Sequence, residues 1–282
     1  MSEGERELII RRILVALDAS PHSMSALEAA AELASRFRAE LLGLFVEDVN
    51  LLRLGELSFT REVGLASATR RRLDTQQVER ELRAQAGKAR RALTAAAERA
   101  SVRCSFRVVR GTTAAELLTA ASDTDLVILG KSGWPVTPRR RLGSTARAFL
   151  SGTPCLALIL ERGARLRLPI LVIYDGSPLA QKALGTAAAL VQAEDTYLTV
   201  FIVTEELQEA QRLQTEAAEW LHERGLRARF RLTTEWSAPR LAHVLRTERI
   251  GTLVFPAESS LLQDEALLEL LEEVESPVLL IR

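Results

Sequence analysis

Short apolar runs alternate with longer stretches of helical period along this chain. "ILVAL" (13–17) reads as a buried strand ending at Asp18, after which Ser20 and Pro21 open an alanine-rich helix as N-cap and first-turn proline. "AELLGLFVE" (39–47) is the next strand. Leu82, Ala86, Ala89, Leu93, Ala96 and Ala100 then step by four and three along one face of a long helix. "CSFRVV", the helix "AAELLTAAS", "DLVILG", the helix "STARAFL" and "CLALIL" follow. Five strands separated by helices predict an α/β fold, a parallel doubly wound sheet whose right-handed crossovers cover both faces.

The pattern then repeats. "RRILVALDASPHSMSALEAAAELA" from Arg11 and "LPILVIYDGSPLAQKALGTAAALV" from Leu168 share eleven residues at a constant shift of 157, among them Asp18 and Asp175, Ser20 and Ser177, and Pro21 and Pro178. "CSFRVVR" is echoed by "ARFRLTT", "DLVILG" by "GTLVFP" and "TPCLALIL" by "SPVLLIR". The chain is predicted to be two tandem five-stranded domains, 1–164 and 165–282. The first carries an insertion at about 47–74, too long for an ordinary connection and read as a partner-binding arm or a loop over the site. Arg70, Arg71 and Arg72 within it read as a solvated charge run, or as a patch for an acidic partner.

Between "DLVILG" and "STARAFL" lies "GKSGWPVTPRRRLGST" (130–145). In open α/β sheets ligands sit beyond the carboxyl ends of the strands where strand order reverses, and Asp18 and Gly130 both stand at such ends. Glycine permits positive φ and close approach, so Gly130 and Gly133 can turn N–H groups toward one anion. Gly143, Ser144 and Thr145 begin a helix whose free N–H groups and hydroxyls suit the same anion. Together they describe a polyphosphate cradle; the competing reading is a loop with flexible corners and an N-cap. Arg139, Arg140 and Arg141 would clamp a terminal phosphate or form a solvated basic loop. Trp134 would lid the site or pack on a neighbour.

Composition narrows the field. With 47% hydrophobic and 26% charged residues the chain is globular, and the absence of a long apolar run or a secretory leader predicts a cytoplasmic protein with no membrane partner. Net charge is zero but unevenly placed: 25 basic against 19 acidic residues up to 164, then 12 against 18. This favours anion binding in the first half and attraction between the halves, or is surface drift. Cys104 and Cys155 read as two small buried residues, and His22, His222 and His243 lack metal-ligand spacing. Walker, G-x-G-x-x-G and G-x-S-x-G motifs are absent, and few aromatics accompany the basic half, which argues against nucleic-acid binding.

The glycine stretch fits G-x2-G-x9-G-[ST], and with "DASP…SALEAA" and "LLGLFVED" it resembles the ATP-binding branch of the universal stress protein family; "ILVIYDGSPLAQKAL" and "SPVLLIR" extend the resemblance to the second half. The resemblance implies a Rossmann-like fold of the adenine-nucleotide alpha-hydrolase type. Asp18 with the backbone of Ala16 and Leu17 would meet ribose and adenine, and Val46 would offer backbone bonds to the adenine edge. Gly130, Lys131, Ser132, Gly133, Gly143, Ser144 and Thr145 would hold ATP phosphates, with Mg²⁺ bound through those phosphates and no direct protein ligand. It also implies an intrachain pseudo-dimer joined through "CLALIL" and "PVLLIR", and possible further homodimerisation. The second half departs where Pro256 replaces the first glycine and Glu258, Asp264 and Glu265 occupy the loop, so one nucleotide per chain is expected.

The leading functional expectation is an ATP-binding stress-response regulator that signals through shape or an unknown protein partner. No general base or nucleophile dyad marks a catalyst. The competing readings are a slow ATPase or self-phosphorylating protein, and a nucleotide-independent scaffold.

Overall fold

The computed structural model describes residues 9–56, 61–63, 70–72, 75–131, 142–191, 196–234, 236–257 and 264–282. In chain order the first half runs β1 (Arg12–Ala16), α1 (Pro21–Phe37), β2 (Glu40–Asp48), α2 (Val49–Glu56), β3 (Arg61–Val63), β4 (Arg70–Arg72), α3 (Thr75–Ala100), β5 (Cys104–Gly111), α4 (Thr113–Ala121), β6 (Leu126–Gly130), α5 (Ser144–Leu150) and β7 (Leu156–Leu160). The second continues with β8 (Ile170–Tyr174), α6 (Pro178–Val191), β9 (Tyr197–Val203), α7 (Leu207–Glu223), β10 (Arg227–Thr233), α8 (Ala238–Thr247), β11 (Thr252–Pro256), α9 (Asp264–Glu273) and β12 (Val278–Ile281).

Ten of these strands form one sheet in the order β10-β9-β8-β11-β12-β7-β6-β1-β2-β5. Each half is a doubly wound parallel set in which strand order reverses beside its first strand, between β1 and β6 and between β8 and β11. The two sets meet through the antiparallel pair β12 and β7, with Val278 opposite Ile159, Leu279 opposite Leu158 and Leu280 opposite Ala157. These strands are buried on both faces and therefore read as unbroken apolar runs. The predicted joining of the halves through their last strands is thus a continuation of the sheet itself.

Alternation along the strands splits the core into two layers. Ile13 and Val15 face α1, α3, α6 and α7, whereas Leu14 faces the layer built on α4, α5, α8 and α9. Each layer runs across both halves, and Arg36 on α1 reinforces one of them by donating to the carbonyl of Leu190 on α6 at 2.6 Å. At the sheet's outer edges, β5 and β10 carry Arg107, Arg110, Arg227, Arg229 and Arg231, charges that discourage further strand pairing. Cys104 lies on this edge and is exposed, contrary to its sequence reading; Cys155 is half-buried and its thiol is pushed up by desolvation. An apolar flank does not reveal that a strand is terminal in the sheet.

Within the insertion, β2 runs on to Asp48 and hands over to α2, which packs on α3. Arg70–Arg72 forms a short antiparallel pair with Arg61–Val63.

Candidate nucleotide site at the first switch point

The chain leaves β1 through a turn that its own side chains close. Asp18 Oδ1 accepts the Ser20 N–H at 2.9 Å, Ser20 Oγ accepts the Ser23 N–H at 3.2 Å, and Ser23 Oγ accepts the Asp18 N–H at 3.3 Å. These bonds cap α1 and hold Ala19 at φ 58°, a left-handed conformation unfavourable for a residue with a Cβ. Asp18 is exposed, and its Oδ2 has no partner among the described residues.

Beside this turn, β2 outruns β1. The Leu17 N–H donates to the Leu44 carbonyl at 2.8 Å, and Ala16 is the last β1 residue in register. By the two-residue alternation of a strand, Val46 directs its N–H and C=O toward the same side, beyond the last residue of β1. Val46 is half-buried.

On the other side of β1, the glycine stretch begins as β6 ends. Gly130 does not adopt positive φ, and neither does Gly143, whose φ is −61°. The reason for glycine at 130 is close approach: a Cβ there would stand 2.9 Å from His22 Cβ and 3.2 Å from its carbonyl carbon, at the start of α1. The Gly143 N–H donates to the Lys131 carbonyl at 2.9 Å, so the two ends of the stretch are joined directly. α5 then starts without a side-chain cap, with Ser144 exposed and Thr145 half-buried at its first turn. Ser132, Gly133, Trp134, Arg139, Arg140 and Arg141 lie outside the described residues.

Lys131 has a task other than the one its motif suggests. Its N–H donates to the Leu160 carbonyl at 2.7 Å, and its buried ammonium donates to Glu161 Oε1 at 3.0 Å and to the carbonyls of Val274 at 2.8 Å and Glu272 at 3.3 Å. Those donors are committed within the protein, so Lys131 holds the stretch in place rather than extending an ammonium to an anion. Arg147 and Glu272, which escaped the sequence reading, pair nearby at 2.9 Å. A usable signal was the last turn of α9, "LLEE", which contains no cation of its own.

The second switch point repeats the turn and changes its surroundings. Asp175 Oδ1 accepts the Ser177 N–H at 3.0 Å and Ser177 Oγ accepts the Ala180 N–H at 3.2 Å, with Gly176 at φ 79° in the place of Ala19. The aspartate is therefore a turn-former in both halves. Tyr174, the counterpart of Leu17, is buried, and burial pushes its phenol up to about 12. Val203, the counterpart of Val46, is only 2% exposed, and Phe255 is fully buried against Trp236 with ring centroids 6.0 Å apart. Tyr174 and Phe255 lie on opposite faces of the sheet. Glu258 lies outside the described residues, as do the side chains of Asp264 and Glu265.

A tandem, doubly wound α/β architecture with a mostly parallel sheet defines a protein of the Rossmann-like class. The model of the Universal stress protein family matches residues 10–160, more than half of the chain, and the chain belongs to that family. Among solved structures, a universal stress protein from Archaeoglobus fulgidus DSM 4304 superposes with a TM-score of 0.77 at 17% identity, covering 97% of each chain. A functionally unknown protein from Pseudomonas aeruginosa PAO1 gives a TM-score of 0.59 at 16% identity, covering 97% of this chain and 93% of its own. A universal stress protein in complex with cAMP matches 55% of this chain and 99% of its own at 18% identity, with a TM-score of 0.40. No curated protein sequence matches the chain. Among the described residues no helix is long and apolar enough to cross a membrane.

Proposed function

We propose that the first half binds one adenine nucleotide per chain, as ATP with Mg²⁺ held through its phosphates, and that the protein reports nucleotide occupancy through its shape or to a protein partner. The observation that supports this reading is the contrast between the switch points: at the first, Asp18 is exposed and Val46 is half-buried beyond the last residue of β1, whereas at the second Val203, the counterpart of Val46, is 2% exposed. In this reading the adenine edge pairs with the Val46 backbone, the ribose meets Asp18 Oδ2, and phosphates accept from the first-turn N–H groups and hydroxyls of Ser144 and Thr145. Among the described residues no cluster of three or more His, Cys, Asp or Glu side chains could hold a metal, so the cation would be carried by the phosphates.

The test is to denature the purified protein and identify what it releases by chromatography and mass. About one adenine nucleotide per chain supports the proposal; none, together with no binding at millimolar ATP and Mg²⁺, defeats it. Released phosphate on prolonged incubation with ATP would instead favour slow turnover.

A further inference from the structure

The surplus of cations in the first half is concentrated on two neighbouring elements. Helix α3 and strand β5, with the turn between them (75–111), carry nine basic residues against three acidic ones, which accounts for the whole basic excess up to residue 164. On α3, Arg80, Arg83, Lys88, Arg90 and Arg91 are all exposed. Arg83 pairs with Glu79 and Arg90 lies over the Phe106 ring, but Lys88 and Arg91 have no ion-pair partner among the described residues. Around α7 the balance is reversed. From 205 to 224 there are six glutamates and two arginines. Arg212 is taken by Glu209 and Glu216, and the exposed Glu219 has no cation among the described residues.

The two helices share one face of the sheet, α3 over β2 and β5 at one end and α7 over β9 and β10 at the other. At the spacing of sheet strands they stand roughly 40 Å apart, several screening lengths, so they do not neutralise each other within one chain. Because β7 and β12 are antiparallel, the strands of the two halves point opposite ways, and α3 and α7 run antiparallel as well. The first turns of α3 and the last turns of α7 therefore stand at the same end of the strands.

We propose that two copies of this chain associate through this face, α3 of each lying against α7 of the other. A two-fold axis along the strands at the junction of β7 and β12 makes both contacts at once and brings Arg80 to the end of α7 that carries Glu219 and Glu223. An axis across the strands would set α3 on α3 and α7 on α7, where like charges repel. The association is independent of the nucleotide reading.

The experiment is sedimentation equilibrium of the full-length protein at up to about 100 μM, in about 50 mM and about 500 mM salt. A dimer is expected at low salt, with a dissociation constant at least about tenfold higher at high salt. Arg80→Glu with Arg91→Glu should be monomeric, and so should Glu219→Lys with Glu223→Lys; all four positions are exposed on helices, so both variants should keep the circular dichroism of the natural protein. Mixed in equal amounts, the two variants should form a heterodimer, because reversed α3 then meets reversed α7 and natural α3 meets natural α7. A natural protein that is monomeric at low salt overturns the proposal, as does a dimer that survives either reversal or a mixture that stays monomeric. Assembly that grows beyond the dimer overturns the two-fold arrangement. If one variant does not fold, the oligomeric state of the other decides.

Discussion

At the ends of β1 and β8 the chain makes the same Asp-X-Ser turn, yet the surroundings of the two turns diverge. In the first half Gly130 lets the start of α1 come close, and α5 begins with no cap of its own. In the second, Pro256 stands at the corresponding strand end and Trp236 packs on Phe255. Duplication preserved the framework that folds each half, since strands, helices and turn recur. The glycine stretch stands in one copy, and the other has "PAESSLLQDEA" at the same place.

Five substitutions would break or sharpen this contrast. Trp236→Ala should have the largest effect, destabilising the protein by about 3 kcal/mol in chemical denaturation while leaving MgATP affinity unchanged. Trp236→Phe should cost far less, because it also removes an indole N–H that is buried without a partner among the described residues. Next, Gly143→Asp should weaken MgATP binding by more than about tenfold, through repulsion between carboxylate and phosphate. It should not lower the thermal midpoint, since aspartate is a better N-cap than glycine for α5. Loss of affinity without loss of stability would separate an anion site from a fold element.

The two remaining tests exchange residues at one turn position. Gly176→Ala should cost about 2 kcal/mol of stability, because its Cβ would lie 2.5 Å from Leu213 Cδ2 on a backbone at φ 79°. Ala19→Gly should shift stability by less than about 1 kcal/mol, since relief at φ 58° is offset by greater freedom in the unfolded chain. Both are read from denaturant midpoints. Equal effects at the two positions would mean that the turns are not equivalent in the way their hydrogen bonds indicate.

Features written in local pattern were legible from sequence. Runs such as "LVILG" and "LALIL" marked buried strands, Ser20-Pro21 marked the start of α1, and the repeat led to the two halves, while β7 and β12 as their junction came from the family resemblance. Long-range facts were not legible. The Lys131 side chain could be placed only once α9 was folded against the first half, because its partners lie 141 and 143 residues away. The exposure of Cys104 depended on which strand ended the sheet, and Gly130 answered to the proximity of His22 rather than to its own φ. Within the site, Asp18 was found as a strand-end residue, but the matching bond at Asp175 shows that its first duty is to close the turn after the strand.

The most direct test of unequal halves is the stoichiometry of MgATP binding to the full-length protein, measured by equilibrium titration alongside Gly143→Asp and Trp236→Phe. The account predicts one site per chain, strongly weakened by Gly143→Asp and untouched by Trp236→Phe. Two sites per chain, or one site that survives Gly143→Asp and is altered by Trp236→Phe, would contradict it.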